Sequence, residues 1–339
     1  MMVEARPAGS ANLGSLDYRK TGGWILAIGV WLVPLLWTDL TTYLTLTIAG
    51  VTMGVLLFLT ASGLTVIFGL MDVLNLTHGA FFAWGAYAGF SLLGVLNKIG
   101  WVEMATLGQS IGSLVLVLLL SLLVGAILGL ILEKFIIRKT YGNHLKQILI
   151  TMGAALVMTE IIKIFWGPND EAIGVPAAFQ NSWDLFDVVV NKFRGVAILV
   201  GGLVFVGIQL VLRKTKLGIV VRAGVENKEI VQVMGYNIQR IFSGVFAAGA
   251  ALAAMGGVMI SLFNGHIYPN MGDENLIFAL IVVIIGGMGS VTGSFLGALM
   301  VGLAFNYVAF LVPKVALGVN IMIMAIILLI RPKGLMGRD

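Results

Sequence analysis

An all-α, polytopic helical membrane protein with eight to ten transmembrane segments, two of them broken or re-entrant, is the fold the sequence predicts. Three observations predict it. Of 339 residues, 59% are hydrophobic and only 11% charged, against roughly 25% charged in ordinary globular chains. The mean hydropathy is +1.02. Apolar runs of about 20 residues, the length a helix needs to cross a bilayer, recur along most of the chain. Backbone groups in lipid must bond within their own segment, so these runs are helices and not open strands. The scarcity of polar surface excludes a water-soluble enzyme. The absence of cysteine excludes disulfides, thiolate chemistry and Cys-based metal sites. Three histidines (His78, His144 and His266) are too few for a His-rich metal centre, and none is expected.

The spans fall at 24–38, 44–66, 75–96, 111–132, 145–166, 194–212 and 242–262; 276–311 counts as two passes, and the last is 315–330. Arg19 and Lys20 before the first run suggest a signal peptide, but Thr38-Asp39-Leu40 after Trp37 offers no small-x-small cleavage site, so it reads as a retained helix. Sidedness follows from lysine and arginine counts in the connections. Lys134, Arg138, Lys139 and Lys146 crowd one connection, and Arg213, Lys214, Lys216, Arg222, Lys228 and Arg240 another. The alternate connections carry Asp170, Glu171, Asp184 and Asp187, then Asp273 and Glu274. Both termini are therefore expected in the cytoplasm: a tail at 1–21, a transmembrane domain at 22–330 with a cytoplasmic loop at 213–241, and a tail at 331–339.

Two stretches interrupt the apolar pattern with glycines and small polar side chains: Gly69 to Phe82, containing Asn75, Thr77, His78 and Gly79, and Gly286 to Leu296, containing Gly287, Ser290 and Thr292. Irregular backbone at membrane depth is tolerated only when buried in protein or lining a wet cavity, and such paired interruptions point to a transport pathway. Asn75, Thr77, His78, Gly79, Gly286, Gly287, Ser290 and Thr292 are the candidate pathway or gate residues. The bland alternative is that glycines serve close helix packing, as Gly50/Gly54, Gly85/Gly89, Gly125/Gly129 and Gly289/Gly293/Gly297 suggest by their four-residue spacing.

In the 213–241 loop, Ile230, Val233, Met234, Ile238 and Ile241 share one helical stripe. Asn227 suits an N-cap, and Gly235 a left-handed close. The loop is expected to form a short amphipathic helix, a bend, and a return to the membrane. It could dock in a partner's groove or lie against anionic lipid.

The run Gly63-Leu64-Thr65-Val66-Ile67-Phe68-Gly69-Leu70-Met71, with Asn75-Leu76-Thr77-His78-Gly79 and Gly85-Ala86-Tyr87, resembles the permease subunits of branched-chain amino acid ABC importers. So do Ile284-Ile285-Gly286-Gly287-Met288-Gly289-Ser290-Val291-Thr292-Gly293 and Arg331-Pro332-Lys333-Gly334-Leu335. The stretch Glu229 to Gly235 resembles the coupling loop of ABC permeases, with Ile230 and Val231 where small residues are commoner. The resemblance covers roughly 45–335. It implies a multi-pass protein of the bacterial inner membrane that moves a small polar solute. Its partners would be a second homologous permease, two cytoplasmic ATP-binding subunits and an extracytoplasmic solute-binding protein. Glu226, Asn227, Glu229, Ile230, Val233, Met234 and Gly235 would then contact the ATPase. No G-x-x-x-x-G-K-[ST] loop is present, so the chain is expected to bind no cofactor and to draw on ATP through its partners. No nucleic-acid partner is expected, and no catalytic residue is assigned.

Glu160 and Lys163, three apart on one helix, read as a structural ion pair. Asp72 could cap a helix at the first break, and His78 could bond a carbonyl freed there. Gly108-Gln109-Ser110-Ile111-Gly112 fits the hydrolase elbow without its strand–turn–helix setting. It leaves an intramembrane serine protease as the remote alternative, behind a self-sufficient ion-coupled secondary transporter.

Overall fold

The computed structural model describes residues 28–185, 188–226 and 228–337. The N-terminal tail, the first residues of the first expected span, Asp187, Asn227 and Arg338 lie outside the described residues, as do the side chains of Arg222, Glu226, Lys228, Glu229 and Ile230.

The helices in chain order are α1 (Leu40–Met71), α2 (His78–Lys98), α3 (Leu107–Phe135), α4 (His144–Trp166), α5 (Lys192–Lys214), α6 (Lys216–Glu226), α7 (Lys228–Val233), α8 (Ile238–Asn264), α9 (Met271–Gly286), α10 (Val291–Leu311) and α11 (Ala316–Ile330). Among the described residues, seven of them (α1 to α5, α8 and α10) are long and apolar enough to cross a membrane. The 276–311 run is two helices, as expected, but α9 has 16 residues and reaches only about 24 Å. Four short strands were not anticipated. β1 (Glu171–Ala172) pairs antiparallel with β4 (His266–Ile267), and β2 (Ser182–Leu185) with β3 (Val188–Asn191), Glu171 facing Ile267 and Ser182 facing Asn191.

Helix starts follow local chemistry. Asp39 accepts from the Thr42 N–H, and Thr106 and Gln109 close a reciprocal capping box at α3. Asn143, Asn191 and Asn237 cap α4, α5 and α8 in the same way.

At the centre, α1 and α8 are enclosed by α2, α3, α9 and α10, while α3, α4 and α5 leave large apolar side chains such as Leu119, Leu156 and Leu203 exposed, as a lipid-facing surface requires. Small residues set the helix separations. A Cβ on Gly85 would overlap the Ala254 carbonyl, one on Gly54 the Ala298 carbonyl, and one on Gly125 the Ala250 carbonyl. The four-residue glycine spacing thus marks helix crossings.

The two ends of the bundle differ in charge. At one, the end of α1 meets the start of α4 (Asp72 with His144), and the 136–143 connection meets α8 (Arg138 with Ser243). The end of α5 meets the start of α10 (Gln209 with Thr292), and Leu335 N–H of the tail bonds the Ile285 carbonyl at the end of α9. This is the end of the basic connections. At the other, the β1–β4 pair, Ala177 N–H on the Val102 carbonyl, and Lys192 N–H on the Asn181 carbonyl tie the acidic connections together.

Candidate functional site

The first break is a chain that turns back into the bundle. α1 closes at Asp72, which adopts the left-handed conformation (φ 54°), the one non-glycine among the described residues to do so. Asp72 therefore ends a helix; it does not cap exposed N–H groups, and its carboxylate faces His144 Nε2 at 3.5 Å. Residues 72–77 are not helical, and α2 starts beside Thr60, 11 residues before the end of α1 and so about 16 Å inward.

This irregular backbone is paid for by α4. Leu76 N–H donates to Thr151 Oγ1 (3.2 Å), and Thr77 Oγ1 donates to the Thr151 carbonyl (3.1 Å). Asn75 Oδ1 accepts from Thr77 N–H (3.1 Å). Asn75, Thr77 and His78 are buried, and Gly79 lies against the Gly272 backbone at the start of α9. His78 Nε2 bonds the Thr60 carbonyl at 2.8 Å, a mid-helix oxygen and not one freed by the break. A carbonyl only accepts, so Nε2 carries the proton and Nδ1 is a bare acceptor. Among the described residues, His78 Nδ1, Thr60 Oγ1, Asn75 Nδ2 and Gln147 Oε1 are buried without a hydrogen-bond partner, Gln147 lying one turn from Thr151.

The second break is shorter and lies at the basic end. Residues 287–290 turn α9 into α10, with Gly287 and Gly289 at positive φ (94° and 80°), where a side chain would be strained. Ser290 caps α10 by accepting from Gly293 N–H (3.1 Å), and Thr292 Oγ1 accepts from Gln209 Nε2 (2.6 Å). Gly286 is buried; its carbonyl takes the Met336 N–H of the tail. Ser290 and Thr292 line a cavity of about 250 Å³ with Gly69, Gln209 and Arg213. The two breaks approach each other at Gly69 and Gly289, whose backbones touch. They do not share one cavity: Asn75 to Gly79 pack toward α4 and α9, Ser290 and Thr292 toward α5.

The loop forms α6, a helix that hydropathy did not anticipate, then α7, the Gly235 bend (φ 85°) and α8. The single stripe does not hold. Ile238 and Ile241 belong to α8, and among the described side chains of α7 Val231 is buried, while Val233 and Met234 are 89% and 67% exposed. With Tyr236 they make an apolar tip beside the basic end.

Lys163 Nζ donates to Glu160 Oε1 at 2.7 Å, both partly exposed. Ser110 sits inside the first turn of α3 and accepts from Ala178 N–H (3.3 Å), while His78 is engaged with Thr60, so no serine–histidine pair forms. Among the described residues no group of three or more His, Asp or Glu could hold a metal ion.

Sequence reasoning missed Thr60, Gln147 and Thr151, polar residues within the runs assigned as spans. It also missed Glu133, directly after the 111–132 run, which is fully buried and bonded to Arg138, Tyr141 and Ser243. A carboxylate at the edge of a span with an arginine five residues on was the available signal.

The described residues thus form a many-helix bundle with seven helices long and apolar enough to cross a membrane, a chain that turns back beside Thr60 and an exposed apolar tip at the basic end. The chain belongs to the family described as branched-chain amino acid transport system / permease component, whose model matches residues 46–330. It is 25% identical over 300 residues to the high-affinity branched-chain amino acid transport system permease protein LivH of Escherichia coli K12, covering 85% of this chain and 94% of that one. It is 27% identical over 305 residues to BraD of Pseudomonas aeruginosa, another such permease protein (87% and 96%). A shorter match, 26% identical over 190 residues, is to a probable branched-chain amino acid transport permease protein LivM of Methanocaldococcus jannaschii, covering 54% of each chain. No solved structure matches.

Proposed function

We propose that this chain is the permease subunit of an ATP-driven importer of branched-chain amino acids, working by alternating access. The family match over 46–330 carries this reading. Two structural features support it. The exposed Val233–Met234–Tyr236 tip suits docking to an ATP-binding subunit, with Glu226, Asn227, Glu229, Ile230 and Gly235 on the same segment. The start of α2 lies inside the bundle with no side-chain cap, an electropositive end suited to a substrate carboxylate.

In this reading the basic end faces the cytoplasm of a bacterial inner membrane, as the lysine and arginine bias favours. Asn75, Thr77, His78 and Gly79 form the gate, and Gly286, Gly287, Ser290 and Thr292 its cytoplasmic margin. The likeness to LivM supports a second homologous permease as partner, completed by two ATPases and an extracytoplasmic binding protein. The chain itself holds no cofactor and performs no catalysis. Reconstitution tests this: radiolabelled leucine should enter proteoliposomes only when ATPases, binding protein and ATP are all supplied. Uptake by this chain alone, driven by an ion gradient, would overturn it.

A further inference from the structure

We infer that Glu133 is a positioning residue that holds the end of α3 to α8, the helix that follows the segment carrying the ATPase contact, so that movement of that segment moves α3 and α8 together. The inference rests on the proposal that the Glu226–Gly235 segment contacts an ATPase.

Glu133 is completely enclosed at the last turn of α3. Its oxygens accept from Arg138 Nε (3.3 Å) and Nη2 (3.1 Å), Tyr141 Oη (2.9 Å) and Ser243 Oγ (2.7 Å). Arg138 Nη2 also donates to Ser243 Oγ at 2.8 Å. These donors come from two other places in the chain: the 136–143 connection and the second turn of α8. Ser243 lies eight residues past the Gly235 bend, in the helix that follows α7. Beneath the polar cluster, Val231 of α7 shares one apolar cluster with Ile238 and Phe242 of α8, Leu132 of α3 and Ile137. Tyr141 packs edge-on to Phe242 at 6.0 Å.

A push on α7 therefore reaches α8 through the Gly235 bend and the Val231 cluster, and passes from α8 to α3 through two layers, one apolar and one polar. The apolar layer could slide. The polar layer resists, because drawing Ser243 away would leave an enclosed carboxylate short of a donor. The cheaper response is for α8 and α3 to move as a unit, held further along by Gly125 and Gly129 against Ala250. α8 in turn packs through Gly249 against Gly63, beside His78 and the re-entrant chain. The carboxylate thus connects the proposed ATPase contact with the proposed gate.

The test is the amount of leucine moved per ATP hydrolysed by the complete reconstituted assembly. Glu133→Gln should retain ATPase subunits and at least half the ATPase rate while leucine uptake falls tenfold or more. Ser243→Ala, which removes one donor and leaves the carboxylate held by Arg138 and Tyr141, should fall in the same ratio but less. The double variant should be no worse than Glu133→Gln alone, because both act on one interaction. Glu133→Asp should recover part of the ratio. Uptake and ATP hydrolysis falling in proportion, or an unchanged ratio, would overturn the inference. Should Glu133→Gln fail to fold, Ser243→Ala decides alone by the same ratio. Val233→Asp/Met234→Asp separates the underlying reading: ATPases that still co-purify with that variant would remove the contact itself, whatever Glu133 does.

Discussion

Gly85 and Gly94 lie nine residues apart on α2, yet they do different work. At Gly85 the Ala254 backbone occupies the space a Cβ would need; at Gly94 nothing lies within 4 Å. Gly85→Ala should lower the stability of the purified protein by about 1–3 kcal/mol through overpacking. Gly94→Ala should be neutral or stabilising by about 0.5–1 kcal/mol, since it only removes chain freedom. Thermal melting in detergent, compared between the two, checks this. Tyr141 offers a test in pH. Burial, then its bond to Glu133, hold its phenol well above the ordinary value of 10.0, and the same carboxylate raises Arg138. A phenol raised in the folded state contributes stability that is complete below the unfolded pKa and lost as pH rises through the folded one. Melting temperature should therefore be insensitive to this group below about pH 10 and fall above it. Tyr141→Phe should reduce that alkaline fall while costing about 1 kcal/mol at neutral pH for the lost hydrogen bond.

Elements show how a sequence signal can be right in place and wrong in extent. The interruption from Gly69 to Phe82 is real, but only 72–77 are non-helical; Gly69 and Gly79 remain in helices and serve to touch Gly289 and Gly272. Hydropathy cannot tell a glycine that bends a chain from one that admits a neighbour, because both simply lack a side chain. The support for the returning chain comes from Thr151, 75 residues from Leu76. Thr151→Val deletes the acceptor for the Leu76 N–H and should cost about 1–3 kcal/mol. If 72–79 is the gate, leucine uptake should fall while ATPase binding is retained. For α7, a stripe drawn over 230–241 joined two helices that Gly235 separates. The exposed tip makes its own prediction. Val233→Asp/Met234→Asp should weaken ATPase co-purification tenfold or more, equivalent to about 1.4 kcal/mol, without changing helix content by circular dichroism.

For the whole molecule, the lysine and arginine bias sets the orientation expected: basic end inside, acidic end outside. The native chain has no cysteine, so single cysteines report sidedness cleanly. With a membrane-impermeant thiol reagent applied to intact cells, a cysteine at Asp170 should be labelled and one at Lys139 should not; the reverse pattern would invert the bundle. The chain by itself determined the medium and the scaffold. Apolar runs of span length, the helix caps, the glycine-marked crossings and the alternation of basic with acidic connections are local properties, set by transfer of side chains to lipid and by backbone pairing. The tertiary structure decided which distant residues meet: Thr60 with His78, Thr151 with Leu76, Gly69 with Gly289, and Glu133 with Ser243. Those meetings depend on helix crossing and depth, which no periodicity encodes, because a buried polar side chain is tolerable only once its partner from elsewhere in the chain has arrived.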